Sequence, residues 1–389
     1  MKIGAVVCEY NPFHLGHQYQ LETARRELKL DAIVGIMSGN FVQRGDVAIY
    51  PKELRARTAL ACGIDLVLEL PAVLTLQSAE RYARNAVLTL NALGCVDTLF
   101  FGAECTDIDL LKRIAKTIVA EDAPFQEQLK AGLAKGLSFA GARAEAIRII
   151  IGNASAEFLS QPNNILGVEY LKALLRSGSK IKPVALARKG ANHNDTSSKE
   201  GFASASLIRE QMLAGESYQG YLPQKSLALY AGHSPASLKS MEQAILSRIC
   251  LMPRAELARI ADVAEGLENA ICREALTADN LNALIDGVKS KRYAYSRIRR
   301  ILLNAYLGIT KQDADLTPSY IRILDFNEKG REILNLARKT ATLPLAKHGG
   351  QIKEHPAALA LWQRELAIGR VYRLFFEDKF TEKEIVECE

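Results

Sequence analysis

The sequence predicts an α/β fold in which a parallel, Rossmann-like sheet domain with a helical insertion is followed by an all-α C-terminal domain. Two observations predict this fold. Over the first ~105 residues, short apolar runs alternate with helical patterns, as they do when helices connect the strands of a parallel sheet. From about residue 217 the strand pattern fades, and helical patterns fill the rest of the 389 residues. We therefore expect a sheet domain over residues 1–215 and a helical domain over 216–389.

The candidate strands are short, rich in β-branched residues and bounded by turn residues. They cover residues 2–7, 32–37, 65–69, 98–101 and 182–187. Helical patterns separate the first four strands at residues 15–28, 52–62 and 77–93. Residues 107–160 also have helical patterns, so we expect a helical insertion before the last strand.

Six segments of the C-terminal half have patterns typical of helices. They cover residues 242–249, 255–265, 277–288, 296–307, 328–339 and 357–376. No strand is predicted among them.

The composition is that of an ordinary globular protein, with 48% hydrophobic and 24% charged residues. No apolar run approaches the ~18 residues of a membrane span, and the first run is too short for a signal peptide. The seven cysteines are scattered without CxxC spacing, which argues against a zinc ribbon and a disulfide framework. We expect a cytoplasmic protein without a protein-bound metal, a membrane contact or an inferable protein partner.

The segment "CEYNPFHLGH" joins the first strand to the first helix and carries His14 and His17. The unpaired N–H groups of a helix N-terminus favour an anion at this place. Two imidazoles there can donate hydrogen bonds to a phosphoryl group, and Gly16 permits its close approach. Because the chain has neither a Walker A motif nor GxG spacing, this pair is the candidate phosphate site. The alternative is two capping or surface histidines.

A second segment, "FASASLIREQM", places Ser204, Ser206 and Arg209 just before and within a predicted helix start. Hydroxyls, free N–H groups and a guanidinium in this pattern suit the β- and γ-phosphates of a nucleotide. The alternative is an ordinary helix cap, because Ser206 and Glu210 have the pattern of a capping serine followed by an acid. The presence of the two histidines earlier in the chain favours the phosphate interpretation.

Two further strand ends carry candidate binding residues. "MSGNFVQRG" follows the second strand and offers Ser38, Asn40 and Arg44 to a small carboxylate or another substrate. A solvated loop with an incidental arginine is the alternative. Gly102 in "FFGAE" would let a nucleotide base approach the backbone, although a plain turn glycine is the commoner case.

The stretch "KSKRYAYSRIRR", residues 289–300, concentrates the positive charge of the chain. It holds six basic residues and no acidic residue, and its charge equals the net charge of +6 of the whole protein. Cations interleaved with tyrosines can bind phosphates and stack on unpaired bases, which predicts an RNA partner. The predicted contacts are Lys291, Arg292, Arg297 and Arg300. The alternative is a solvated helix face.

Seven segments in this order together resemble the tRNA(Met) cytidine acetate ligases, which belong to the nucleotidylyltransferase superfamily that shares the HIGH motif with class I tRNA synthetases. These are "EYNPFHLGH", "MSGNFVQRG", "FFGAE", "PNNILGVEYLKAL", "RKGANHND", "SASLIR" and "KRYAYSRIRRILLN". The resemblance implies a ligase that activates acetate with ATP as acetyl-adenylate. It would then acetylate the wobble cytidine of elongator tRNA(Met), which gives N4-acetylcytidine.

The resemblance also implies the positions of site residues. The ATP-binding stretch maps onto Val7, Cys8, Glu9, Tyr10, Asn11, Pro12, Phe13, His14, Leu15, Gly16, His17, Gln18, Tyr19 and Gln20. The adenine-side glycine maps onto Gly102 and the helix-start asparagine onto Asn163. The arginine after the last strand maps onto Arg188, with Lys189 beside it. The chain departs from the family pattern at Lys189, where an aliphatic residue is usual, and at His193, where an aromatic residue is usual.

Taken together, these observations predict that His14 and His17 stabilise negative charge on the phosphoryl oxygens. They predict that the leaving pyrophosphate is held by Ser204, Ser206 and Arg209. Magnesium would bridge the phosphates of ATP. Two other functions fit part of the sequence. A small-molecule adenylyltransferase of the pantetheine-phosphate or nicotinamide-mononucleotide type does not explain the basic helical half. A non-catalytic RNA-binding protein does not explain the two histidines and Arg209.

Overall fold

The computed structural model describes residues 1–153, 155, 158–159, 161–188, 201–290 and 293–376. Its strands are β1 Ile3–Cys8, β2 Ala32–Ser38, β3 Phe41–Val42, β4 Asp46–Val47, β5 Leu66–Leu70, β6 Thr98–Ala103, β7 Lys182–Ala187, β8 Ile321–Phe326 and β9 Leu345–Ala346. Seven of them form one sheet in the order β7-β6-β1-β2-β5-β8-β9, and β3 and β4 form a separate hairpin. All five predicted strands are present, so the predicted strand set is confirmed.

The helices up to β7 are α1 Leu15–Leu28, α2 Lys52–Ala61, α3 Ala72–Thr75, α4 Ala79–Leu93, α5 Ile108–Ala120, α6 Ala123–Ala134, α7 Phe139–Ile151 and α8 Pro162–Arg176. After β7 follow α9 Ala205–Ala214, α10 Gln224–Tyr230, α11 Glu242–Leu251, α12 Arg254–Leu257, α13 Leu267–Ala275, α14 Leu281–Val288, α15 Tyr295–Leu307, α16 Lys311–Ala314, α17 Glu328–Thr340 and α18 Pro356–Phe375. None of the helices described is long and apolar enough to cross a membrane.

The core of the sheet alternates between its two faces along each strand, as strand geometry requires. Ile3 and Ala5 of β1 face α4, α8 and α17 on one side. Val6 and Cys8 face α1 and α2 on the other side. Because both faces are covered, the central strands are apolar throughout, and this composition made them recognisable from the sequence.

The strand order reverses beside β1. The chain runs from β1 through β2 to β5 and then returns to place β6 on the opposite side of β1. The strands on both sides are parallel to β1, so their carboxyl ends meet at one edge of the sheet. Ligands bind in open α/β sheets at such a reversal. The predicted fold class, a parallel Rossmann-like sheet with a mainly helical C-terminal region, is confirmed.

Three elements of the C-terminal region, two strands and one helix, differ from the prediction. β8 joins the sheet antiparallel to β5, and β9 pairs with β8, so this region adds two strands to its helices. The strand was missed because it is short and carries a charged residue, Arg322, at a buried position. The helix predicted over residues 255–265 is observed only as the short α12, and the left-handed backbone conformations of Asp262 and Glu265 are incompatible with a helix through the rest of that range.

A fully buried cluster of four ionisable side chains attaches the C-terminal region to the sheet. Glu69 of β5 forms ion pairs with Lys52 Nζ at 3.0 Å and with Arg322 Nε at 2.8 Å. Glu365 of α18 accepts a hydrogen bond from the Ala72 backbone at 2.7 Å. Burial and the neighbouring carboxylate raise the pKa of Glu365 to about 8. The cluster therefore holds two cations against one carboxylate that stays ionised and one that carries a proton at neutral pH.

Candidate active site

The turn after β1 places both histidines at the carboxyl edge of the sheet. Tyr10 takes a left-handed backbone conformation with φ of 45°, and the Phe13 backbone donates to the Tyr230 hydroxyl at 3.2 Å. His14 is the N-cap residue of α1, and its Nδ1 accepts a hydrogen bond from the Gly16 backbone at 3.1 Å. His14 therefore caps the helix through Nδ1, as the alternative prediction has it. Its Nε2 takes no part in the cap.

The two imidazoles form a stacked, neutral pair. Their ring centroids lie 3.7 Å apart with an interplanar angle of 27°. Nδ1 of His17 accepts a hydrogen bond from the His14 backbone at 3.3 Å. Because each Nδ1 is an acceptor, these bonds assign the proton of each neutral ring to Nε2. The site thus offers two Nε2–H donors in fixed orientation.

Burial and nearby positive charge keep the pair unprotonated. Desolvation, followed by the charges of Arg188 and Arg209, lowers the pKa of His14 to about 3. Desolvation and the neighbouring His14 lower the pKa of His17 well below its ordinary value. Two stacked imidazolium rings at this distance would also repel each other. At neutral pH the pair is therefore uncharged and can interact with a ligand only through hydrogen bonds.

Arg209 connects the second predicted segment to the histidine turn. Its Nη1 donates to the Asn11 carbonyl at 2.8 Å, and its Nη2 donates to Ser206 Oγ at 3.3 Å. The helix cap is Ser204, whose side chain accepts from the Leu207 backbone at 3.1 Å. The alternative that assigned the cap to Ser206 is wrong, because Ser206 lies inside α9 and contacts Arg209 instead. The N-terminus of α9 thus lies beside the histidines.

Gly102 and Arg188 lie on the far side of β1 from the hairpin. A Cβ atom on Gly102 would come within 3.2 Å of Arg188 Cγ and 3.4 Å of Gln20 Nε2. Glycine therefore leaves space between α1 and the end of β7. Lys189 and His193 are outside the described residues, so the departures from the family pattern cannot be placed in the site.

Asn163 contributes to a hydrogen-bond network at the end of β6. Its Nδ2 donates to Glu104 Oε1 at 2.5 Å, and the Asn164 backbone donates to Glu104 Oε2 at 3.0 Å. Asn164 Oδ1 in turn accepts hydrogen bonds from the backbone N–H groups of Glu104 and Cys105, at 3.0 and 3.1 Å. Sequence reasoning named Asn163 but missed its two partners. The "PNN" and "GAE" segments contain these residues, but nothing in the pattern indicates that they meet.

The loop after β2 gives its three candidates different surroundings. Ser38 is buried, with Oγ 3.4 Å from the Tyr82 hydroxyl. Asn40 Oδ1 accepts from the Lys52 backbone at 2.9 Å, which ties the loop to the start of α2. Both side chains therefore make contacts within the protein that stabilise the loop. Arg44 is exposed and interacts electrostatically with Glu9, so its side chain is the most accessible of the three.

Sequence reasoning missed Arg55, which holds the strand ends together. The guanidinium is fully buried and donates to the carbonyls of Glu9, Ser38, Gly39 and Tyr50. It satisfies loop carbonyls that would otherwise be buried without partners. An arginine in a helix gives no sequence signal of this role, because the carbonyls that it satisfies come from distant segments.

Two arginines of the basic stretch, Arg297 and Arg300, bind the loop residue Asp262. Both Arg297 Nε and Nη2 donate to the Asp262 carbonyl, at 3.2 and 3.0 Å. Arg300 Nε lies 2.8 Å from Asp262 Oδ2, and its side chain is only 8% exposed. The geometry therefore speaks against a direct phosphate contact by Arg300, because its charge is buried and paired. Lys291 and Arg292 lie in the undescribed part of the chain.

A cleft of about 560 Å³ opens beside these arginines. Four cationic side chains and two carboxylates line it, namely Arg81, Arg297, Arg300, Lys311, Asp262 and Asp315. The β3–β4 hairpin contacts the residues of this cleft and the turn after β1, since a Cβ on Gly45 would meet the Arg300 backbone nitrogen at 2.5 Å and the Gln43 backbone donates to Glu9 Oε1 at 2.8 Å. Cationic walls and this proximity suit a polyanion that reaches the strand ends.

The comparisons with known proteins extend over the whole fold. The model of the HIGH Nucleotidyl Transferase family matches residues 1–386. A tRNA(Met) cytidine acetate ligase from Thermoanaerobacter sp. strain X514 is 39% identical over 389 residues, which is 97% of this chain and 96% of the relative. The protein of that name from Clostridium perfringens strain SM101 is 39% identical over 370 residues, 92% of each chain.

Solved structures agree with these relatives. Apo Thermotoga maritima TmcAL matches with a TM-score of 0.93 at 35% identity, over 97% of this chain and 96% of that chain. The same protein bound with alpha-thio ATP matches with a TM-score of 0.90 at 34% identity, over the same shares. The chain therefore belongs to the HIGH nucleotidyl transferase family and, within it, to the tRNA(Met) cytidine acetate ligases.

Proposed function

We propose that the protein activates acetate with ATP as acetyl-adenylate and acetylates the wobble cytidine of elongator tRNA(Met) to N4-acetylcytidine. The observation that carries the proposal is the neutral His14–His17 pair, whose two Nε2–H donors lie beside the N-terminus of α9. The names of the full-length relatives support the substrate assignment. The Thermotoga maritima structure bound with alpha-thio ATP supports ATP as the nucleotide.

In the first step, an acetate oxygen attacks the α-phosphorus of ATP, and pyrophosphate leaves with the electrons of the broken P–O bond. His14 and His17 donate hydrogen bonds to the phosphoryl oxygens, where negative charge increases in the transition state. Ser206, Arg209 and the free N–H groups at the start of α9 hold the pyrophosphate. Arg44 holds the carboxylate of acetate.

Gly102 and Arg188 would face the adenosine portion of ATP, with Asn163 supporting that edge through Glu104. Magnesium would arrive with the phosphates. Within the described residues, no group of three His, Cys, Asp or Glu side chains is arranged to hold a metal ion. The phosphate groups of ATP would supply the oxygen ligands that magnesium prefers.

The region from residue 216 onward would bind the tRNA, with the cleft at Arg297 receiving its backbone. A cytoplasmic location follows from this substrate. Phosphate contacts made by arginine and lysine position an RNA without reading its sequence. The cleft is lined by more cationic than acidic groups and adjoins the hairpin that carries Arg44. This arrangement would bring the anticodon loop towards the acetyl-adenylate.

The test is incubation of the purified protein with ATP, acetate and bulk tRNA, followed by mass spectrometry of the nucleosides. N4-acetylcytidine should form only when all three are present. In parallel, acetate should stimulate exchange of pyrophosphate into ATP without tRNA. Exchange that needs phosphopantetheine or nicotinamide mononucleotide instead of acetate would show a small-molecule adenylyltransferase. tRNA binding without any exchange would show a non-catalytic RNA-binding protein.

A further inference from the structure

Acetyl transfer in the proposed function releases a proton that a group in the site must accept. The exocyclic N4 of cytidine carries two hydrogens, and the amide in the product keeps one. An amine that has attacked an acetyl carbonyl is strongly acidic, so a nearby carboxylate or neutral imidazole can take its proton. Such an acceptor needs a lone pair that no other hydrogen bond occupies.

Most candidates at the strand ends have no such lone pair. His14 and His17 accept backbone N–H groups at Nδ1 and carry their protons at Nε2, so they are donors towards a ligand. Glu104 is held by Asn163 and Asn164 at the far side of β6. Asp46 in the hairpin pairs with Arg299 at 2.7 Å.

Glu9 is placed differently. It follows β1 directly, and its Oε1 accepts a hydrogen bond from the Gln43 backbone at 2.8 Å. No residue in the described ranges donates a hydrogen bond to its Oε2, and the side chain is half-buried. One oxygen thus fixes the carboxylate to the hairpin while the other can receive a proton.

Charged groups from both proposed substrate sites interact with Glu9. Arg209, on the pyrophosphate side, and Arg44, on the hairpin side, both interact electrostatically with it. Arg44 also interacts with Arg300, which lines the cleft. The buried Arg55 donates to the Glu9 carbonyl, and Tyr82 of α4 and Tyr170 of α8 also interact electrostatically with the Glu9 carboxylate. Glu9 therefore lies within electrostatic reach of the proposed pyrophosphate site and of the hairpin beside the cleft.

We propose that Glu9 is the general base that takes the proton from N4 of the target cytidine during acetyl transfer. The inference rests on the proposed function. N4 attacks the acetyl carbonyl carbon, and a C–N bond forms as the carbonyl electrons move to oxygen. Glu9 Oε2 takes one N4 proton. The C–O bond to the phosphate then breaks as the carbonyl reforms, AMP leaves with the electron pair, and Glu9 releases its proton to solvent.

The environment suits this acceptor. Desolvation raises the pKa of Glu9 above its ordinary value, while the Gln43 bond and the three arginines lower it. A raised pKa makes the carboxylate a better base, and the arginines keep it ionised before transfer. Acetyl transfer should therefore fall as pH decreases through the pKa of Glu9, because protonation removes the acceptor.

The test compares Glu9→Gln, Glu9→Asp and the control Glu22→Gln. The glutamine oxygen can still accept from Gln43, and Glu22 is an exposed carboxylate on α1 whose side chain accepts from Gln18 at 2.8 Å. Preformed acetyl-adenylate complex is mixed with tRNA in a single turnover. Glu9→Gln should slow transfer about 100- to 10,000-fold and abolish the acid limb of its pH profile. Glu9→Asp should keep the limb with a smaller loss, and Glu22→Gln should match the wild type.

A second readout separates a base from a positioning role. Hydroxylamine captures the acetyl group of acetyl-adenylate without a protein base, so Glu9→Gln should lose far less of this capture, and of acetate-dependent pyrophosphate exchange, than of tRNA acetylation. Equal losses in all three would overturn the inference, as would a Glu9→Gln enzyme with an unchanged pH profile. A wild-type protein that forms no acetyl-adenylate would overturn the proposed function itself and the inference with it.

Discussion

Replacing His17 by alanine removes one of the two fixed donors and tests the adenylation mechanism. Loss of a preorganised donor to a developing anion costs about 100–1000-fold in rate, or about 2.7–4 kcal/mol in the barrier. The structural cost is smaller. The His14 backbone N–H loses its acceptor at 3.3 Å, worth about 1 kcal/mol, and the ring stack adds about 1 kcal/mol. Against a typical total of about 5–15 kcal/mol, His17→Ala should remain folded.

The histidine pair should also make the free energy of unfolding depend on pH, and His14 shows how large this effect is. An unfolded histidine has a pKa of about 6.5, and in the native protein the pKa of His14 is about 3. Below pH 6.5 the unfolded chain binds more protons than the native protein, so the contribution of His14 is complete above that value and is lost as pH falls. Between pH 7 and pH 5 the loss is about 2 kcal/mol for this one histidine. A His14→Ala variant should lack this part of the decrease.

The assay is acetate-dependent pyrophosphate exchange, with urea unfolding at pH 7 and pH 5 on the same samples. His355→Ala is the matched control, because that histidine is exposed at the start of α18, far along the chain from the strand ends. Wild-type exchange should show no histidine titration between pH 5.5 and 8, since both rings are already neutral. Exchange by His17→Ala within threefold of wild type, in a folded protein, would refute the donor mechanism.

Three further outcomes follow from the geometry. Lys311→Ala should lower tRNA affinity and reduce the slope of log K against log salt by about 0.7–0.9, while Lys329→Ala on α17 should leave it unchanged in filter binding. Lys52→Met should destabilise the fold by about 3–5 kcal/mol in urea titration, because Glu69 loses a buried partner. Glu365→Gln should reduce the loss of stability as pH rises towards 8, because the native protein otherwise holds a proton there that the unfolded chain has released.

The central strands and the histidine turn could be predicted because their signals are local. β-branched runs between turn residues specify β1 and β2, and a short polar segment with a glycine specifies the start of α1. What failed depended on partners far along the chain. The sequence shows that Asn40 is polar and follows a strand, but not that the backbone of Lys52 takes its oxygen. The role of Arg55 is hidden for the same reason.

The position of β8 has a consequence for how the chain folds during synthesis. Leu66 of β5 pairs with Phe326 of β8, about 260 residues later in the chain. Until the ribosome has released that segment, β5 presents an open edge with unpaired backbone groups, and such edges are prone to pairing with other chains. Contacts of this sequence separation also form slowly. The sheet that carries the histidine turn therefore cannot be completed until residues 321–326 have been synthesised.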